Sequence, residues 1–207
     1  MEKFFNTAGP IISDDHYYIP SLERLDWEEI RHLIARKRYF LLHAPRQTGK
    51  TSALLEMMET LNQGDTYHAI YANIEGAQAA RNNIESGIDT VCSVVAHSAE
   101  TYLNEKRLVQ WLFEGSGRQI DVADRLNKLL SYWAKISDKP VVLFLDEVDA
   151  LVGDTLISLL RQIRSGYAQR PQMFPQSIVL CGVRDIKDYR IHQGNGDIIT
   201  GGSAFNI

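Results

Sequence analysis

Residues 43–52 read HAPRQTGKTS, and they place Ala44, Gly49, Lys50 and Thr51 at the spacing of a phosphate-binding loop, with alanine where the pattern has its first glycine. The stretch before it, YFLLH (39–43), is a short apolar run that reads as a buried strand. The stretch after it, TSALLEMMETL (51–61), puts Leu54, Met58 and Leu61 on one helical face. Strand, loop and helix in that order are what a polyphosphate site needs: backbone N–H groups converging on oxygens, a helix N-terminus facing the negative charge, and one mobile cation. Residues 44–52 (Ala44, Pro45, Arg46, Gln47, Thr48, Gly49, Lys50, Thr51 and Ser52) therefore form the candidate binding loop. Within it Gly49 allows close backbone approach, Lys50 reaches the β and γ phosphates, and the Thr51 hydroxyl is a ligand for Mg²⁺. Ser52 comes one position too late for the metal. Ala44 stands at the outer edge of the loop, where a methyl group need not face phosphate.

Outward from the loop, the same alternation repeats. Asp26 with Glu29 resembles a capping box, and Trp27, Ile30, Leu33 and Ile34 recur at helical spacing, so a first helix is expected over 26–37. YHAIYANI (67–74) is a second strand candidate. Ile84, Ile88, Val91, Val95, Ala99 and Tyr102 keep a spacing of three or four, which predicts one long amphipathic helix through most of 82–112. Val122, Leu126, Leu129, Trp133 and Ile136 predict another. The run at 141–145 is continuously apolar, as in a strand covered on both faces of a parallel sheet. A helix is expected to begin near Asp154, and SIVLCGV (177–183) is a fourth strand. Strands alternating with helices predict a three-layer α/β domain with a mainly parallel central sheet. Residues 1–25, rich in aromatic and turn-forming positions, read as an extended strap on the surface of a domain over 26–207. The tail after Arg190 is rich in glycine, and the chain reads as cut short at Ile207, on what would begin another strand.

The second chemical feature is VVLFLDEVD (141–149). Asp146, at the end of the apolar run, is the acidic group that a phosphate loop requires to hold the metal and its water ligands. Glu147 is placed to orient or deprotonate the water that attacks the γ-phosphate, in a reaction where positioning and charge stabilisation dominate. An isolated pair of carboxylates at a solvated strand end is the competing explanation; the presence of the loop upstream weighs against it.

Taken together, APRQTGKTS and VVLFLDEVD resemble the Walker A and Walker B motifs of AAA-type P-loop ATPases, and the wording around TGKTS and DEVDAL is similar to the AAA-like proteins near the archaeal-type ATPase and STAND groups. The resemblance covers most of the chain and implies a three-layer P-loop NTPase fold, ATP as ligand, Mg²⁺ as cofactor, Thr51 and Asp146 as metal ligands, and Glu147 and Lys50 as catalytic residues. It also implies a polar sensor at the end of the strand after Walker B, which falls on Arg184, although that form more often carries asparagine or threonine. Arg161, Arg164 and Arg190 are available as an arginine supplied to a neighbouring subunit; a solvated helix face explains the first two equally well. Tyr18, Ile19 and Pro20 fall where the family packs adenine. The family's helical lid has no counterpart up to Ile207, so the expectation is a domain truncated at its C-terminus or built without that lid.

Other classes find less support. With 44% hydrophobic and 23% charged residues and a net charge of −4, the chain has the balance of a soluble globular protein. Its charge does not indicate a nucleic acid partner, though a local basic patch would not be excluded. Two cysteines, Cys92 and Cys181, make no disulfide framework, and the six histidines lack metal spacing. No signal peptide or membrane span is present in the sequence, so a cytoplasmic protein without a membrane partner is expected. Asn127-Lys128-Leu129-Leu130 lacks the aspartate of a guanine-reading motif, which favours ATP over GTP, and GNG (194–196) neither follows a strand nor opens a helix. Two functions remain: an ATPase that couples hydrolysis to a conformational change or assembly, and a nucleotide-controlled binding or scaffold module with little turnover. The partner, another protein or a second copy of the chain, is not specified by these residues.

Overall fold

The computed structural model describes residues 3–7, 12, 14–183, 190–192 and 198–200. Four strands, β1 (Phe40–His43), β2 (His68–Asn73), β3 (Val141–Asp146) and β4 (Ser177–Gly182), form a parallel sheet in the order β1-β4-β3-β2. The helices are α1 (Trp27–Ala35), α2 (Lys50–Gln63), α3 (Ile84–Leu103), α4 (Arg107–Phe113), α5 (Val122–Ile136) and α6 (Gly153–Gly166). β3 and β4 are buried at every position, which is why 141–145 and 178–181 are unbroken apolar runs rather than alternating ones.

Alternation along each strand sorts its side chains between two cores. Val142 and Phe144 of β3, Ala69 and Tyr71 of β2, and Val179 and Cys181 of β4 pack with Ile34, Leu54, Met57 and Met58 of α1 and α2. Leu143, Leu145, Ile178 and Leu180 pack on the opposite face against α3, α5 and α6. The period of two therefore carries Asp146 to the face of α2, where the phosphate-loop helix begins. Register completes the placement: His43 pairs with Gly182 and Asn73 with Asp146, so the C-terminal ends of the strands meet along one edge of the sheet. In open α/β sheets, ligand sites form at that edge.

Both free thiols, Cys92 in α3 and Cys181 in β4, are buried. Asp26 caps α1 by accepting from the Glu29 backbone at 3.0 Å. The residues before α1 include a 3-10 turn, Ser21–Arg24, and reach the core directly. Leu22 and Leu25 pack on the α1–α2 side, and the Ser21 N–H donates to Glu56 of α2 at 2.8 Å. Farther out, Phe4 and His16 form an isolated parallel bridge, their rings edge to face at 4.8 Å.

Two expectations are corrected. The single helix over 82–112 is two helices, because Asn104 takes a left-handed conformation (φ 54°) that ends α3. Glu105 then accepts from the Arg107 backbone at 2.9 Å and starts α4 in a new direction. Hydrophobic spacing ran through this break because α4 also buries an apolar side, with Leu108 and Leu112. The expectation that GNG (194–196) follows no strand also fails: the glycine-rich tail contains a two-stranded antiparallel pair, β5 (Arg190–His192) and β6 (Ile198–Thr200), each too short to show a periodicity. Residues 194–196 and the chain end at Ile207 lie outside the described residues. Among those described, no helix is long and apolar enough to cross a membrane.

Candidate functional site

The chain leaves β1 at His43 and turns under β4, where the Ala44 N–H meets the Gly182 carbonyl at 3.4 Å. Left-handed backbone occurs within the loop at Gln47 (φ 61°) and Gly49 (φ 82°), and not at Ala44. The position that departs from the glycine pattern is therefore one whose backbone conformation does not require glycine. Thr48 steadies the loop by donating its hydroxyl to the Pro45 carbonyl at 2.9 Å.

α2 opens on Lys50 with Gly49 at its cap, and no side chain caps its first turn. In α1, α3, α5 and α6 the first turn contains an acidic residue; that of α2 contains none. The free N–H groups and the positive end of the helix dipole thus face the loop uncompensated, the arrangement that attracts an anion. Lys50 folds back across the loop and donates from Nζ to the carbonyls of Ala44 and Pro45, each at 3.0 Å.

Opposite the loop, the Thr51 hydroxyl donates to Asp146 Oδ2 at 2.8 Å, although 95 residues separate them in sequence. Asp146 is 0% exposed. Its other oxygen, Oδ1, accepts from the Glu147 N–H at 2.9 Å, and Oδ2 also accepts from the Tyr71 hydroxyl at 3.0 Å. Glu147 sits in the left-handed region (φ 60°, ψ 39°), a conformation that costs a non-glycine residue about 1–3 kcal/mol and that clusters at functional sites. Burial, and then the neighbouring Asp146, Asp149 and Glu75 carboxylates, raise its carboxyl above the usual range against the pull of Lys50. Burial and the Asp146 charge likewise push the Tyr71 phenol up, so that it remains a donor.

These groups border a cleft of about 750 Å³. Arg46, Gln47, Gly49, Lys50, Thr51 and Ser52 line it from the loop and Glu147 from the sheet edge. Ala44, Pro45 and Thr48 build the loop behind, and Asp146 lies below Thr51. Sequence reasoning missed Tyr71, Asn73 and Tyr102, which line the cleft on the β2 and α3 side; alternation in 67–74 was the available signal for the first two. It also missed Arg24, whose guanidinium donates to the Thr48 carbonyl at 3.3 Å and covers the edge of Gly49. Tyr18 and Ile19 line a separate hollow with Phe5, Tyr17 and the same Arg24. Arg161 lines a groove between α5 and α6, away from this cleft. Arg164 is on the exposed side of α6. Arg184 and the Arg190 side chain lie outside the described residues.

A family model described as an AAA domain matches residues 31–189. The chain belongs to the AAA domain family. It is an AAA-like P-loop ATPase domain by motif and fold, and the family is a nucleotide-binding one. No curated protein matches it. Among solved structures it is similar to Cdc6p from Pyrobaculum aerophilum, with 20% identity and a TM-score of 0.53, over 83% of this AAA domain chain and 42% of that one. It also matches a Drosophila ORC structure bound to poly(dA/dT) DNA and Cdc6, with 12% identity, a TM-score of 0.48, and coverage of 80% and 25%. The chain thus spans less than half the length of either. The first likeness establishes the shared α/β fold.

The donor set suits Mg²⁺, a hard cation that prefers oxygen: a hydroxyl and a carboxylate meet at the cleft. Among the described residues no group of three or more His, Cys, Asp or Glu side chains could hold a metal unaided. A cation at Thr51 and Asp146 would take its remaining ligands from phosphate and water.

Proposed function

We propose that this AAA domain binds ATP with Mg²⁺ and hydrolyses it, coupling turnover to a conformational change or an assembly step. The contact between Thr51 and Asp146, with Glu147 opening into the same cleft, carries the proposal. The loop amides and Lys50 hold the phosphate chain, which requires Lys50 to exchange its two loop carbonyls for phosphate oxygens. Thr51 and Asp146 would hold the metal, which when bound would offset the negative charge of the phosphate chain. Glu147 orients the attacking water and accepts its proton. The water oxygen bonds to the γ-phosphorus as the bond to the bridging oxygen breaks, and ADP departs with that electron pair. Arg184 is the proposed sensor of the γ-phosphate, residues 1–25 the strap on the domain, and the cytoplasm the place of action. ATP is preferred to GTP: Asn127 of the incomplete guanine motif is occupied in joining α5 to α6, donating to the Gln162 carbonyl at 3.1 Å and the Ser165 hydroxyl at 2.9 Å.

Phosphate release and ATP binding, measured for the wild type, Glu147→Gln and Lys50→Ala, test this. Hydrolysis predicts that Glu147→Gln still binds ATP while turnover falls by about 10²-fold or more, and that Lys50→Ala loses binding. A wild type that binds ATP but releases no phosphate, alone or with a longer chain or partner, is a nucleotide-controlled module. A wild type that binds no ATP refutes both.

A further inference from the structure

Tyr71 lines the cleft, and the reaction above gives its hydroxyl no part. Tyr71 is 8% exposed, on the α2 face of β2. In register it pairs with Phe144, two residues before the Asn73 and Asp146 pair, so its ring runs forward along the strand to deliver its hydroxyl to Asp146 Oδ2. That oxygen is the one the Thr51 hydroxyl also meets. With the Glu147 N–H on Oδ1, three donors from three different elements fix the rotation of a wholly buried carboxylate. Asn73, two residues along on the same face, lines the cleft beside Tyr71 and accepts from the Glu75 N–H at 2.9 Å. Phenylalanine would fill the same volume against α2; the hydroxyl is what distinguishes the residue at this place. Partners that orient a metal ligand from behind govern its affinity for the metal, because they hold the lone pair where the cation will be.

We propose that Tyr71 is a positioning residue for the metal site, its hydroxyl holding Asp146 in the orientation that serves Thr51 and the cation. The inference rests on the functional proposal above, since it concerns Mg²⁺ bound beside the phosphate chain. It does not depend on turnover.

The test is Tyr71→Phe, with a fluorescent ATP analogue as the probe. Its affinity is measured in EDTA, the Mg²⁺ concentration that half-completes metal-dependent binding is then titrated, and thermal unfolding is recorded without nucleotide. The expected result is a Mg²⁺ midpoint raised about tenfold, with metal-free affinity unchanged within about twofold. An unchanged midpoint overturns the proposal, whether or not the melting temperature falls, because a hydroxyl that only satisfies a buried charge would move stability alone. Tyr71→His keeps a donor but draws it back from Asp146 Oδ2, and is also expected to raise the midpoint. Should Tyr71→Phe not fold, the Tyr71→His variant decides: a raised midpoint supports the proposal and an unchanged one overturns it. A wild type that binds the analogue with no response to Mg²⁺ removes the metal site from the functional proposal, and this inference with it; one that binds no analogue refutes nucleotide binding altogether.

Discussion

The Lys50 ammonium donates to the Ala44 carbonyl at 3.0 Å, so the one residue that departs from the glycine pattern contributes its backbone to the resting position of the loop lysine. Its methyl group imposes no conformational penalty there, because Ala44 has no positive φ. Ala44→Gly is therefore expected to leave nucleotide affinity within about twofold. It should lower stability by about 0.4–1 kcal/mol through the added freedom of the unfolded chain. Equilibrium urea unfolding and nucleotide titration of the two proteins check this.

Gly49 is the opposite case. Its φ of 82° strains any other residue, and a Cβ there would also meet the Arg24 guanidinium at 2.8 Å. The guanidinium is the free end of a flexible side chain and can move, whereas the backbone cannot. Gly49→Ala should cost about 1–2 kcal/mol from the left-handed conformation. A double-mutant cycle with Arg24→Ala, followed by urea unfolding, should show that cost nearly unchanged. If Arg24→Ala relieves most of it, the side chain and not the backbone makes this position glycine.

The break between α3 and α4 depends on the left-handed backbone of Asn104. Asn104→Gly is expected to be neutral within a few tenths of a kcal/mol, whereas the β-branched Asn104→Val should destabilise by about 1–2 kcal/mol. Thermal melts of the three proteins give the comparison.

Glu105, immediately after that break, accepts from the Arg107 guanidinium (Nε at 2.8 Å), and these hydrogen bonds hold its carboxyl below the usual glutamate range. A lowered native pKa means that the unfolded chain binds the proton more readily. The contribution is therefore present above the unfolded pKa and is lost as pH falls through the native one. Wild type should exceed Glu105→Gln in stability near neutrality by no more than about 1 kcal/mol, as Arg107 is half exposed. Urea unfolding at a series of pH values should show the gap closing below the ordinary glutamate range.

The strand, loop and helix at 39–61 and the buried strand at 141–145 were legible because each is written in a local pattern: an apolar period, or a glycine where the backbone turns left-handed. The cap on α1 was equally legible, since Asp26 and Glu29 lie within one turn. Asn104 was not, because an asparagine inside an apolar spacing of three and four looks like any polar helix position until its backbone conformation is seen. Arg24 was hidden for another reason: its partner, Thr48, belongs to a loop with no periodicity from which to infer a neighbour.

The sequence by itself determined the alternation of strands and helices, the phosphate-loop pattern and the carboxylates at a strand end, all set by backbone conformation and side-chain spacing over a few residues. Only the tertiary structure decided that Thr51, Tyr71 and the Glu147 N–H converge on Asp146. That convergence depends on the register of parallel strands and on which face of the sheet receives α2. Both are fixed by packing two apolar cores on opposite faces at once, a constraint that no stretch of chain contains alone.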